Sequence, residues 1–374
     1  VRRLTCTPRA DWRARVEALG FGFHTIAGAP YWDESACYAF SAGEIDVLED
    51  ASADLHGLCL DAVDHAIRAG RLGQLGIPGD FHALVAASWE RGDPSLYGRF
   101  DLAWDGSGAP KLLEYNADTP TSLLEAAVVQ WHWLQETAPD SDQFNSLHER
   151  LVERWRAIAQ PGELVHTACC TGSAEDLGTT TYLRDTAAQA GVDTVALDIA
   201  ALGWDARAST FVDLDLQPVH RLFKLYPWEW LCQEAFAAHL LRDGLALIEP
   251  PWKMALSSKA ILPLLWELNP GHPNLLRAAH APWGDTHVEK PLWSREGSNV
   301  RVIERGRVRE SHDGPYRGAT VFQEWHPLPE FSGNHPVLGS WIVGDAACGL
   351  GIREDVDPIT GNGSRFVPHR FATE

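Results

Sequence analysis

The stretch RFDLAWDGSGAPKLLEYNADTPTS, residues 99–122, concentrates the side chains in this chain best suited to chemistry. Its two apolar-alternating runs flank Asp-Gly-Ser-Gly-Ala-Pro, a cluster of turn formers, and so predict a β-hairpin. Side chains alternate faces along a strand. If Trp104 pairs with Lys111, then Asp101 stands opposite Glu114 and Arg99 opposite Asn116 on one face. Carboxylates directly opposed across a ladder repel unless a cation lies between them. Asp101, Glu114 and Asn116 together form an oxygen ligand set suited to Mg2+. Two other readings stay open at this point. The acids could lie on a solvated face with Arg99 as an ordinary ion-pair partner, or they could serve as the carboxylate pair of a glycosidase.

A second set of chemical groups lies in the last third. Lys259 precedes an apolar helix in SSKAILPLLWELNP, and Lys290 ends a strand in HVEKPLW, ahead of a loop holding Gly297, Ser298 and Asn299. Gln323, Glu324 and Trp325 end a buried-type strand in ATVFQEWHPLPEF. An acidic cation-binding face, two separated lysines and a glycine-containing loop make up the division of labour that ATP chemistry requires. Metal and lysines neutralise phosphate, while a covering loop excludes water. A glycosidase would leave the lysines and the loop without a role. Singly, each piece also fits a solvent-exposed lysine, a common turn or the end of a core strand.

The elements that must position these groups can be outlined from periodicity. Residues 1–95 read as mostly helical, with DVLEDASADLHGLCLDAVDHAIRAG showing helical apolar spacing and a terminating glycine. Segment 96–160 holds the hairpin and a helix opened by Pro120 or Thr121, whose free N–H groups would favour an anion. Segment 161–250 contains strand, helix and strand in ELVHTACC, AEDLGTTTYLRDTAAQAG and VDTVALDIAAL, a Rossmann-like βαβ unit without the dinucleotide glycine fingerprint. Segment 251–374 carries the second set of chemical groups. The fold class expected is α/β (α+β).

Composition narrows the partners. A 374-residue chain with 45% hydrophobic and 22% charged residues is long enough for several domains and a sizeable core. The net charge of −20 disfavours nucleic acid, whose binding rests on Lys and Arg, and weakly favours a cationic substrate. No apolar run reaches membrane-span length, and no membrane partner is expected. Seven scattered cysteines without a Cys-x-x-Cys indicate neither a zinc site nor a disulfide framework, so a reducing, cytoplasmic setting is expected. Oligomeric state is not legible.

Taken together, the blocks RFDLAWDGSGAPKLLEYNADTPTS, SSKAILPLLWELNP, EKPLWSREGSNV, VFQEWHPLP and GLGIRED resemble the glutathionylspermidine synthase family. The resemblance is to its C-terminal synthetase portion and stand-alone relatives, and runs from Tyr97 onward. It implies an ATP-grasp-type fold with a pre-ATP-grasp unit, and a carboxylate–amine ligase using ATP and Mg2+. Asp101, Glu114 and Asn116 would hold Mg2+, and Arg99 would stabilise the transferring phosphoryl group. Lys259 and Lys290 would hold the ATP phosphates, the loop 294–299 with Gly297 would cover them, and Gln323–Trp325 would receive adenine. Arg353 and Glu175 would contact the acid substrate. Thr119 and Thr121 replace smaller hydroxyl residues of the family at positions that contact a peptide carboxylate. Glutathione or another peptide is the implied acid, and a polyamine the implied amine. No amidase Cys–His motif precedes Tyr97, so hydrolysis of the amide product is not expected. The rival is a non-catalytic ATP-binding partner or sensor, which would have no use for paired acids that cost stability.

Overall fold

Ser41 and Glu44 start the longest helix. The Ser41 hydroxyl accepts from the Glu44 N–H at 3.2 Å, and the Glu44 carboxylate from the Ser41 N–H at 2.8 Å, a reciprocal cap. In the computed structural model, which describes residues 1–242 and 244–372, this helix runs Ala42–Arg68 and gives way to Gly70 at φ 65°. Residues 373 and 374, the end of the segment drawn to 374, lie outside the described ones. The helix buries Ile45, Leu48, Leu55, Ala62 and Ala66 in the main core, and the Ser52 hydroxyl meets that of Ser340 at 2.6 Å.

Ser340 belongs to the sheet that positions the hairpin. Five antiparallel strands follow in the order Arg365–Phe366, Ala346–Asp355, His335–Val343, Tyr97–Ala103 and Lys111–Asn116. The hairpin is therefore the edge of a sheet whose other strands come from the far end of the chain. A second five-stranded sheet carries the other basic set, in the order Ala278–Ala279, Thr320–Gln323, His287–Pro291, Arg301–Glu304 and Arg307–Ser311.

The βαβ unit is present. Leu164–Cys169 and Asp193–Asp198 run parallel, joined by the helix Ala174–Gln189, whose start is capped by Ser173. Arg221–Leu225 and Ala246–Ile248 extend it to a four-stranded parallel sheet.

The first 95 residues are helical over Trp12–Ala18, Ala42–Arg68 and His82–Glu90, but they also hold strands that the helical reading does not include. Arg2–Thr5 and Ala36–Phe40 are strands, and the latter lies parallel to His369–Ala372 from the other end of the chain. Short strands paired over such a separation leave no periodicity that could distinguish them locally. The helix expected from Pro120 or Thr121 starts instead at Leu123 and passes through a π-helical turn, Glu125–Val129, before its α-helical part Gln130–Thr137. Ser122, at φ 67°, prevents an earlier start.

Two buried ion pairs clamp the open end of the hairpin. Lys224 Nζ donates to Asp118 Oδ1 at 2.6 Å, and Asp118 Oδ2 accepts from the Trp228 N–H at 2.8 Å. Glu249 Oε1 accepts from the N–H groups of Leu96 and Tyr97, while Lys253 Nζ donates to the carbonyls of Tyr97 and Ala117. Charges this deeply buried stay only when paired and hydrogen-bonded, so the clamps fix both strand ends at once. No helix among the described residues is long and apolar enough to cross a membrane.

Candidate active site

The hairpin brings its acids together as expected, by a different route. Arg99 pairs with Asn116 and Asp101 with Glu114, but Ala103 rather than Trp104 pairs with Lys111. A bulge between Asp101 and Leu102 absorbs the difference and leaves Leu113 outside the ladder. The Leu113 carbonyl accepts from Lys290 Nζ at 2.9 Å, so the irregularity joins the hairpin to the second sheet.

On the shared face Arg99 grips Asp101 with two bonds, Nε to Oδ1 at 2.7 Å and Nη2 to Oδ2 at 3.2 Å, and donates through Nη1 to the Thr121 carbonyl at 2.6 Å. Burial weakens the Arg99 charge, but Asp101 more than offsets this and holds its pKa above the usual value. Asn116 Nδ2 reaches Asp101 at 3.0 Å and Glu114 at 3.4 Å. Gly339 lies beneath Arg99. A Cβ there would fall 2.8 Å from Arg99 Cδ, so a larger residue would displace the Arg99 side chain.

Lys259 Nζ stands 3.1 Å from Glu114 Oε2. Burial would raise the Glu114 pKa, but Lys259, Lys290 and Arg99 outweigh it and hold the carboxyl at about 2. Lys290 Nζ also donates to Gln323 Oε1 at 2.7 Å, and Gln323 Nε2 returns to the Leu112 carbonyl at 3.0 Å. Burial lowers Lys290 to about 8, despite the pull of Glu114. Glu324 lies just beyond this strand, its N–H bonded to the Arg277 carbonyl at 2.7 Å.

Arg295, Glu296 and Gly297 of the loop 294–299 line the same cleft as this face. Gly297 has φ 67°, and a Cβ there would sit 2.6 Å from the Thr360 carbonyl oxygen. Arg295, not singled out from sequence, donates to the Thr119 hydroxyl and to Glu229, each at 2.7 Å. Across the cleft Arg353 donates to the carbonyls of Ser364, Gly361 and Asn362 and covers the Tyr31 ring at 4.9 Å. Glu175 stands at the start of the 174–189 helix beside Asp176, whose pKa burial and Glu175 raise to about 6.

Every site residue expected from sequence lines one cleft of about 410 Å³ except Lys259, which lines an adjoining pocket shared with Glu114, Asn116 and Thr119. Sequence reasoning missed Arg295, Asp176, Tyr31 and Glu125. For Glu125 a signal existed: it is an isolated acid within the apolar run LLEAAVV. It is buried, bonded to Tyr31, and pushed up to about 7 by burial and by Glu175.

The chain matches the model of the glutathionylspermidine synthase preATP-grasp family over residues 3–372. A Haemophilus influenzae protein named "Putative acid--amine ligase" is 40% identical, the match covering 99% of this chain and 100% of that protein. Trypanothione synthetase of Crithidia fasciculata is 27% identical over 85% of this chain and 54% of its own length. The bifunctional glutathionylspermidine synthetase/amidase of Escherichia coli is 27% identical over 88% and 58%. The chain thus spans little more than half the length of these two longer relatives. The solved structure of a glutathione synthetase-like effector from Globodera pallida aligns over 98% of the chain with TM-score 0.59 at 11% identity, a likeness of fold alone.

Proposed function

The chain belongs to the glutathionylspermidine synthase preATP-grasp family, and from that membership we propose that it is an ATP-dependent carboxylate–amine ligase. The observation that carries the proposal is the apposition of Asp101 and Glu114 on one strand pair with Lys259, Lys290 and Arg99 around them. Opposed carboxylates ringed by cations suit a triphosphate and its counter-ion.

The donor set fits Mg2+. Two carboxylates and one amide face the same space, and Mg2+ is ordinarily held by one or two protein carboxylates with substrate phosphates completing its shell. Asn116 directs its Nδ2 at both acids, and a turn of its amide would offer Oδ1 instead. When bound, Mg2+ would neutralise phosphate charge between Asp101, Glu114 and Asn116.

The chain's own groups then divide the work. Lys259 and Lys290 bind the phosphates of ATP, and the 294–299 loop excludes water from them. Gln323, Glu324 and Trp325 line the adenine end. Arg99, packed against Gly339 and oriented by Asp101, faces the γ-phosphoryl group as it passes to a substrate carboxylate, giving an acyl phosphate and ADP. Thr119, Thr121, Glu175 and Arg353 surround the acid. An amine attacks the activated carbonyl and phosphate leaves. Glutathione or a related peptide is the acid we propose, and a polyamine the amine. The enzyme has no amidase activity in this reading, which a stable product on prolonged incubation would bear out.

ADP release should be followed with Mg-ATP and a panel of peptides, glutathione included, with and without spermidine. We expect turnover that needs both an acid and an amine. ATP binding without turnover on any pair would instead favour a non-catalytic nucleotide sensor.

A further inference from the structure

A second cavity of about 930 Å³ lies beside the cleft, and Glu175 lines both. Its other walls include Glu125, Glu149, Asp185, Phe23 and Trp131. Between the two spaces runs one chain of hydrogen bonds. Ser122, on the cleft wall, meets the Tyr31 hydroxyl at 2.9 Å, and that hydroxyl donates to Glu125 Oε1 at 2.8 Å. Glu125 faces the second cavity. All three residues are buried, at 2%, 1% and 2% exposure, so the chain is shielded along its length.

Two irregularities of the backbone build this chain. Ser122 is held at φ 67°, a conformation disfavoured for a residue with a side chain, and Glu125 opens the π-helical turn Glu125–Val129. Both features cost stability and both serve to aim one hydroxyl and one carboxylate at Tyr31. Amide formation gives such a path a use. A polyamine nitrogen is an ammonium at neutral pH and must shed a proton before its lone pair can attack.

Resting on the ligase reading above, we propose that Ser122, Tyr31 and Glu125 relay the proton lost by the attacking amine out of the cleft and into the second cavity. The ammonium proton passes to Ser122 Oγ, the Ser122 proton to Tyr31, and the Tyr31 proton to the Glu125 carboxylate; the freed lone pair then forms the C–N bond, and the second nitrogen proton leaves with the departing phosphate. The C–O bond to phosphate breaks and its electron pair leaves with phosphate. Glu125 then releases the proton to solvent in the second cavity. Three groups face Glu125 from three elements: Glu175 from the 174–189 helix, Arg353 from the 346–355 strand, and Tyr31 from the N-terminal segment. Burial and Glu175 raise its pKa to about 7, Arg353 and Tyr31 opposing, which leaves it able to accept and return a proton at neutral pH.

The test compares wild type, Glu125→Gln and Tyr31→Phe with glutathione as acid, and either hydroxylamine or spermidine as acceptor. Hydroxylamine is already a free base at neutral pH, so no proton has to be removed before it attacks, whereas a polyamine is an ammonium there. Both variants should keep hydroxamate formation within about threefold of wild type while amide formation falls about a hundredfold. The wild-type rate of amide formation should show an inflection at about pH 7, and the Glu125→Gln profile should lack it. Infrared difference spectra between pH 5 and 9 should show a titrating carboxylic acid band in wild type and Tyr31→Phe that Glu125→Gln lacks. Equal loss of both products, or loss of neither, would overturn the relay, as would the absence of that band. If Glu125→Gln fails to fold, Tyr31→Phe decides. A wild type that makes neither hydroxamate nor amide would contradict the ligase reading itself.

Discussion

Asp101 is held by three donors from two residues, Arg99 Nε, Arg99 Nη2 and Asn116 Nδ2, and so orients the guanidinium that we propose acts in phosphoryl transfer. Replacing it by Asn keeps the shape but removes the charge that fixes Arg99 and attracts a cation. Asp101→Asn should lower ADP formation by roughly 10²–10³-fold with little change in Tm, read by coupled assay and thermal melting. Glu125 predicts a pH effect on stability. Its folded pKa of about 7 exceeds the ordinary 4.5, so between these values the folded state binds the extra proton, and stability falls as pH rises through the window. The Tm of Glu125→Gln should therefore fall less steeply than that of wild type from pH 4.5 to 7. The residues of the hairpin face were legible because a period of two and a turn cluster suffice to place them. Arg295 and Tyr31 were not, since each gains its setting from a partner far away in the chain, and Asp176 was not because burial, which no local pattern shows, is the main cause of its raised pKa.

At the level of elements, the bulge in the hairpin is the instructive departure. Strand alternation placed Asp101 opposite Glu114, but a regular ladder from Trp104 and Lys111 would have left Leu113 paired. The structure expels Leu113 and gives its carbonyl to Lys290. Bulges follow from what the neighbouring strand demands, so local sequence carries little trace of them. The same holds for the helix after Thr121, where the bond from Ser122 to Tyr31 overrides the local start signal. Gly339 shows how one strand serves another. Gly339→Ala would press Arg99 off its seat and should cost roughly 10- to 100-fold in turnover, with circular dichroism unchanged.

At the scale of the whole molecule, the chain's two ends and its middle share sheets. The strand 36–40 pairs with 369–372, and the hairpin with 335–343. The βαβ unit was legible as strand, helix and strand, because its pairing is local. The pairings of strand 36–40 with 369–372 and of the hairpin with 335–343 were not, since those partners lie hundreds of residues apart. The Lys224–Asp118 pair joins the βαβ sheet to the hairpin's end. Asp118→Ala would leave a buried ammonium unpaired and should destabilise by about 3–5 kcal/mol in urea unfolding. The measurement closest to the central claim uses an acid substrate labelled with 18O in its carboxylate, incubated with Mg-ATP and an amine. The ligase account predicts that one labelled oxygen appears in the released phosphate, because the carboxylate oxygen is carried away with the phosphoryl group it accepted. ADP formed with no label in phosphate would contradict it.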